Sequence, residues 1–339
     1  VSSATAIASA LRRYFADGEW TFLSGGESGW NNTTRYVQSD GETYVLRLYE
    51  THRDEAKVRF EHETLLALAA ERLPFAVPQP VRDRTGETHF RLNDGTERYG
   101  CLFAYLPGRR PDSLSPAGAR AVGRAAGQLS SALARIRVNA PPVYPPYYKL
   151  DLAHPSCPPE KVADFCERPP AAFRSLAAEL RTIHEEWSRF RSRLSRLGEL
   201  PHQLVHGDIN DSNMLAEEGN PNAVTAVIDF EFCTRDLRAM EPAVVLSALL
   251  DGEAANDTVP AFLEGYAENL KLSGDEQEAI PALVKLRKLD VFVHFLGRYL
   301  DGVDGEETLR IQTVSAATGL NRLREHEKQL AVWIERELR

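Results

Sequence analysis

The chain has 339 residues, of which 43% are hydrophobic and 26% charged, with a net charge of -9 and an isoelectric point near 5.6. That balance excludes a disordered or fibrous chain, and the acidic surplus excludes a general binder of nucleic acid or of membrane surfaces, which needs clustered Lys and Arg. The length exceeds the roughly 250–300 residues at which one core stops growing, so two lobes are expected.

In chain order, residues 4–16 carry Ile7, Leu11, Tyr14 and Phe15 at helical spacing, and Asp17-Gly18 ends the helix. A glycine-bearing stretch, Leu23 to Asn32, leads into the β-rich run Thr33 to Val37, the turn signal Asp40-Gly41 and a second run, Thr43 to Tyr49. Glu55 to Arg72 reads as one helix, ended by Leu73-Pro74 and then by Pro78 and Pro80. Strands follow near Thr88 to Leu92 and Tyr99 to Tyr105, joined through Asn93-Asp94-Gly95.

Leu106-Pro107-Gly108 breaks this texture, which sets the expected division: residues 1–105 as the N-terminal lobe, residues 106–339 as the C-terminal lobe. Ser115 to Ile136 reads as a long Ala-rich helix with Ser113 or Ser115 as cap. Residues 137–170, rich in Pro and Tyr, form an irregular excursion; Ala171 to Leu197 returns to helix, and the chain from Pro242 onward is helical in pattern. The four cysteines show neither Cys-x-x-Cys nor zinc spacing and are expected to be buried thiols. No apolar run approaches roughly 18 residues and no secretory leader pattern opens the chain, so a cytoplasmic protein is expected.

The chemistry lies in two runs: Leu204-Val205-His206-Gly207-Asp208, continuing to Asn213, and Ala226-Val227-Ile228-Asp229-Phe230-Glu231. Phosphoryl transfer asks for an acceptor hydroxyl placed in line, a group to take its proton, and cations to spread the phosphoryl charge. An apolar strand ending at His206 can present Asp208 at a loop tip as that base. Asn213, five residues later, offers a neutral amide oxygen, and Asp229 follows an expected strand, Val224 to Ile228. Both are hard oxygen donors suited to Mg2+.

The spacing His-Gly-Asp-x-x-x-x-Asn and then Ile-Asp-Phe resembles the catalytic and metal loops of the aminoglycoside phosphotransferase and choline kinase group. That group includes the type II homoserine kinases and shares the protein-kinase fold, in which His-Arg-Asp and Asp-Phe-Gly stand at the matching points. The resemblance runs from about Leu23 to Leu300. It implies an α+β, two-lobed fold, with an antiparallel-sheet N-lobe holding one long helix and a larger, mainly helical C-lobe. It also implies transfer of the γ-phosphoryl of ATP, with Mg2+, to a hydroxyl of a small molecule such as an amino sugar, an amino alcohol or homoserine.

Carried over residue by residue, Asp208 matches the base, Asn213 and Asp229 the metal ligands, and His206 a supporting residue that braces the loop. Gly29 and Asn31, within Ser28 to Thr33, fall in the loop that covers the phosphates. Arg47 stands where the group carries a phosphate-binding lysine, a departure that replaces a point charge with a planar fork. Its expected partner is Glu61, with Glu63 as the alternative. The carbonyl of Ala104 and the amide of Leu106 fall in the connection that grips adenine.

Only eleven residues separate Asp229 from Glu241, too few for a phosphorylatable activation loop, and Glu241 is expected to brace the catalytic loop. Acidic residues Asp236, Asp251, Asp290 and Asp301, and the tyrosines Tyr144, Tyr147 and Tyr148, are candidates for an acceptor pocket or for plain surface and packing roles. The chain is expected to act as a monomer or homodimer. Two rivals remain: a catalytically silent nucleotide-binding protein of the same fold, and a phosphohydrolase using His206, Asp208 and Asp229 to bind a transition metal.

Overall fold

The computed structural model describes residues 3–24, 32–50, 53–192 and 194–338. The N-terminal lobe contains α1 (Ser3–Leu11), β1 (Trp20–Phe22), β2 (Asn32–Ser39), β3 (Glu42–Tyr49), α2 (Glu55–Leu68), β4 (His89–Arg91) and β5 (Tyr99–Ala104). The strands form one antiparallel sheet in the order β1-β2-β3-β5-β4. Side chains alternate across a strand. Leu46 and Leu48 of β3 pack with Ile7 and Leu11 of α1, whereas Tyr49 joins Val58, Phe60 and Leu65 of α2 on the other face. Arg47 shares that second face, so the strand period alone aims it at α2.

Two helices end earlier than expected. α1 stops at Leu11, and residues 12–15 continue only as turns. α2 begins with Asp54 accepting from the Ala56 N–H at 2.9 Å, a side-chain cap, and closes at Leu68.

The C-terminal lobe holds α3 (Pro116–Arg135), α4 (Pro159–Glu167), α5 (Ala177–Arg191), α6 (Leu194–Leu197), β6 (His202–Val205), β7 (Met214–Glu217), β8 (Asn220–Val227) and β9 (Thr234–Leu237). Helices α7 (Met240–Leu249), α8 (Ala255–Ala267), α9 (Gly274–Leu300) and α10 (Glu306–Glu337) complete it. Ser115 caps α3 by accepting from the Gly118 N–H, while Ser113 turns instead to Asp211. The single helix expected over 171–197 is divided: residues 171–176 form a 3-10 turn before α5 and α6. The fold is thus the expected α+β, two-lobed, protein-kinase-like arrangement, with a sheet and one long helix in the smaller lobe and a mainly helical larger lobe. Among the described residues no helix is long and apolar enough to cross a membrane, and all four cysteines are free and buried.

The two lobes are stitched beside the site. The segment after α2 exchanges backbone hydrogen bonds with β8, Ala76 N–H to Thr225 O at 2.8 Å and Val227 N–H to Ala76 O at 3.0 Å. Arg109, in the connection between lobes, pairs with Ala216 of β7.

Candidate active site

Two short strand pairs bring the motif loops together. Loop 206–213 leaves β6 and enters β7; loop 228–233 leaves β8 and enters β9. β6 pairs with β9 so that Val205 faces Thr234, and β7 pairs with β8 so that Met214 faces Val227. Each loop is therefore tied to the other at both ends. The Ile228 N–H donates to Asn213 O at 2.9 Å, and the His206 Nε2–H donates to Ile228 O at 3.0 Å.

His206 is fully buried and uses both ring nitrogens, because its Nδ1 accepts from the Asp208 N–H at 3.2 Å. Burial holds its pKa below the ordinary histidine value, so the ring is neutral. Gly207 has φ +84, and a Cβ there would lie 2.4 Å from Phe232 O, so only glycine passes the chain between the two loops.

Asp208 is held on both oxygens. Asn213 Nδ2 donates to Asp208 Oδ2 at 3.1 Å and to its carbonyl at 2.8 Å, and Arg287 of α9 donates to Oδ1. Arg287 also donates to Tyr147 Oη at 2.5 Å, and that hydroxyl donates to Gly207 O at 2.5 Å. Tyr147 N–H in turn donates to Asp236 at 2.6 Å. The excursion 137–170 thereby becomes a brace under loop 206–213.

On the N-lobe side, Arg47 Nη1 lies 3.1 Å from Glu61 Oε1 and 3.2 Å from Asp229 Oδ1, with its guanidinium over the Phe103 ring. Tyr49 Oη donates to the other Glu61 oxygen at 2.8 Å. Glu63 points elsewhere and accepts from the Ala140 N–H, so the structure pairs Arg47 with Glu61. Burial works against the guanidinium charge, and Asp229 and Glu61 more than offset it. Burial pushes the Glu61 carboxyl up to about 7 and that of Asp229 up to about 6, with Arg47 pulling both down. Asp229 has φ +67, a left-handed conformation costly for a residue with a Cβ and held here by β8 and the packed Phe230.

These groups line one cavity of about 860 Å3, within the range of small-molecule sites. Ala104, Leu106, Arg47, Asn213 and Asp229 line it, as do Asp208, Tyr147, Phe232, Arg287, Asp290, His294 and Gln312; Arg287 joins Asp208 to Tyr147 there, and His294 packs on Phe232. Glu61 is behind Arg47 rather than on the wall. Gly29 and Asn31 lie outside the described residues. Asn32, next to them, donates to Glu231 at 2.8 Å and so ties the start of β2 to loop 228–233.

The four acidic candidates separate. Asp290 lines the cavity, Asp236 is buried beneath Tyr147, Asp251 pairs with Lys288, and Asp301 accepts from Ser156. Tyr144 packs against Phe232 and under Lys57, and Tyr148 against His202. Arg287 carried no signal in the sequence. An Arg and an Asp three apart on a long helix are ordinary there, and only the packing of α9 against loop 206–213 distinguishes this pair.

A hard divalent cation fits the residues present. Asp229 Oδ1 is buried and takes no hydrogen bond beyond its ion pair, and Asn213 commits its NH2 to Asp208, leaving its amide oxygen for another partner. Among the described residues no group of three or more His, Cys, Asp or Glu could hold a metal alone. A transition-metal phosphohydrolase site is ruled out by His206, whose two nitrogens are both engaged.

Glu241, at the start of α7, is buried and accepts from the Gly207 N–H at 3.2 Å. Burial pushes its carboxyl up to about 7 from an ordinary value of 4.5. The folded chain thus holds this proton more tightly than the unfolded one, and the associated stability is full below about 4.5 and lost as pH rises through about 7. Glu241→Gln mimics the neutral form, so its melting temperature relative to wild type should climb between pH 5 and 8. Taking the difference removes the opposing contribution of His62, whose pKa burial lowers to about 3. A pH-independent difference in melting temperature would refute this assignment.

A sheet lobe with a buried Arg–Glu pair, set above two carboxylate loops and a helical lobe, defines a phosphotransferase of protein-kinase-like architecture. Comparison places the chain within that class: residues 23–279 match the phosphotransferase enzyme family, to which it belongs. It is an enzyme that transfers a phosphoryl group from ATP to a hydroxyl of a small molecule. The chain is 26% identical over 329 residues to the homoserine kinase of Methylobacillus flagellatus, covering 94% of this chain and 92% of that one. Its fold is that of the microcompartment-associated aminopropanol kinase, with a TM-score of 0.74 at 18% identity over 99% of both chains. It is also that of an amicoumacin kinase solved with AMP-PNP and Ca2+, with a TM-score of 0.67 at 16% identity over 94% of this chain and 93% of that one.

Proposed function

We propose that the chain is a Mg2+-dependent kinase for a small hydroxyl compound bearing an amine, with Asp208 as base and Asn213 and Asp229 as metal ligands. The observation that carries this reading is the opening of Asp208, Asn213 and Asp229 onto one cavity, with Arg47 on its upper wall. Arg47, held by Glu61, supplies donors for phosphate oxygens. The Ala104 carbonyl and Leu106 N–H meet the adenine edge, and the segment holding Gly29 and Asn31 covers the phosphates. His206 and Glu241 hold the loop and take no part in proton transfer.

In the reaction the acceptor hydroxyl oxygen bonds to the γ-phosphorus, and the bond from that phosphorus to the β–γ bridging oxygen breaks. ADP leaves with the electron pair, and the hydroxyl proton passes to Asp208. When bound, Mg2+ neutralises the phosphate charge. Asp290 in the acceptor part of the cavity supports an amine-bearing acceptor, as do relatives and neighbours named as homoserine and aminopropanol kinases.

The test is ADP formation from ATP with amino sugars, amino alcohols and hydroxy amino acids, with Mg2+ and again with EDTA. Turnover with one of these classes, abolished by EDTA, is the expected result. Turnover that survives EDTA, or none with any class, would refute the reading.

A further inference from the structure

Arg287 and Asp290 lie three residues apart on α9 and both line the cavity, Arg287 directly against Asp208. Residues at that spacing are neighbours on a helix face, with Cβ atoms about 5–6 Å apart. Arg287 has donated one N–H to Asp208 and one to Tyr147. A guanidinium has five N–H donors in one plane, so part of its fork is still available to a ligand. Among the described residues the Asp290 carboxylate takes no hydrogen bond from the protein, although it is half-buried in the wall.

We propose that these two side chains read the amino-acid end of a hydroxy amino acid acceptor: Arg287 binds its carboxylate, Asp290 binds its ammonium, and the hydroxyl is thereby delivered to Asp208. The inference rests on the phosphotransferase reading above and names the acceptor class for that site. An α-carboxylate and an α-ammonium hang on one carbon, so their receptors must be adjacent and of opposite sign. A bare amino alcohol or amino sugar brings only positive charge, which an arginine this close to the base repels and leaves without an anion to bind. With Asp208 committed to the hydroxyl, Arg287 and Asp290 form a neutral pair, matched to a zwitterion. Planar, bidentate binding of carboxylate is the task for which arginine is better suited than lysine.

Three matched probes test this. L-homoserine carries both groups, 3-amino-1-propanol is the same skeleton without the carboxylate, and 4-hydroxybutanoate is the same skeleton without the ammonium. The wild-type enzyme should use L-homoserine with a kcat/KM at least ~100-fold above either truncated probe, as expected when a buried charge is left unpaired. Arg287→Met should collapse the homoserine to aminopropanol ratio toward unity, with Arg287→Lys restoring part of it. Asp290→Asn should collapse the homoserine to hydroxybutanoate ratio. Retained thermal stabilisation by ATP with Mg2+ shows that each variant is folded.

Equal use of the three probes by wild type would overturn the proposal. So would an equal loss of homoserine and aminopropanol turnover in Arg287→Met, because an arginine that merely holds Asp208 affects every acceptor alike. If wild type transfers to none of the probes yet is stabilised by ATP with Mg2+, the acceptor class is wrong and the phosphotransferase reading stands. Absence of that stabilisation overturns the phosphotransferase reading itself.

Discussion

Asp208→Asn is expected to lower kcat by about 1000-fold or more while ATP with Mg2+ binds within a few-fold of its wild-type affinity. General-base assistance contributes typically about 100- to 10000-fold, and an amide cannot take the proton. The change keeps the shape of the side chain: its amide oxygen still accepts from Arg287, and its NH2 displaces only the Asn213 contact to Oδ2, while Asn213 keeps its bond to the carbonyl of residue 208. The loop should therefore persist, tied as it is by the β6/β9 and β7/β8 pairs. Steady-state turnover alongside nucleotide titration separates the two effects. Full activity in Asp208→Asn would remove Asp208 from the chemistry, and a parallel loss of ATP binding would make it a structural residue.

Asp229→Ala should have the second large effect, and of a different kind: loss of the metal-dependent part of nucleotide binding, with affinity for ATP and Mg2+ falling by about 100-fold or more. In the proposed metal site, losing Asp229 would leave only Asn213 as a protein oxygen for the cation, and a neutral amide compensates little charge. Nucleotide that binds the folded state alone raises stability as the logarithm of its concentration over Kd. In wild type the thermal shift with ATP should be larger with Mg2+ than with EDTA, and in Asp229→Ala the two shifts should coincide. The nucleotide-free variant should not be much less stable, because a partly buried carboxylate in a strained left-handed conformation is being removed and Arg47 keeps Glu61. A variant that still distinguished Mg2+ from EDTA would show that the cation is held elsewhere.

Much of the architecture was legible along the chain. β2 and β3 follow from β-rich runs around Asp40-Gly41, α3 from an Ala-rich period with Ser115 before it, and α9 and α10 from long helical patterns. The strands that were not anticipated, β7 and β9, have four residues each. Runs so short carry no period, and β9 is written Thr-Arg-Asp-Leu with its aspartate buried, the reverse of a strand signal. Yet β7 and β9 complete the pairs that lock loop 206–213 to loop 228–233.

The site divides in the same way. Asp208, Asn213 and Asp229 stand at fixed intervals within two runs, with Glu241 ten residues past the second, and strand-then-loop placement made them visible because their spacing is local. Arg47 was legible as a strand position, but its choice of Glu61 over Glu63 depends on which face of α2 turns toward β3 and on Tyr49 taking the second Glu61 oxygen. Tyr147 and Asp290 were named among several acidic and tyrosine candidates, and tertiary structure singles them out and adds Arg287. Arg287 lies 79 residues from Asp208 in the chain, and no periodicity within α9 marks it out from the other charges of an amphipathic helix.

The sequence by itself determined the fold class and which residues the two motif loops carry, because backbone propensity and motif spacing act over a few residues. Only the tertiary structure decided what surrounds Asp208: an arginine from α9 on one oxygen, an asparagine on the other, and a tyrosine from the Pro-rich excursion beneath. Those contacts arise from the packing of distant segments against one another, where distance in space is independent of distance along the chain. For the same reason the loops were readable in advance, and the choice of Tyr147, Arg287 and Asp290 for the cavity wall was not.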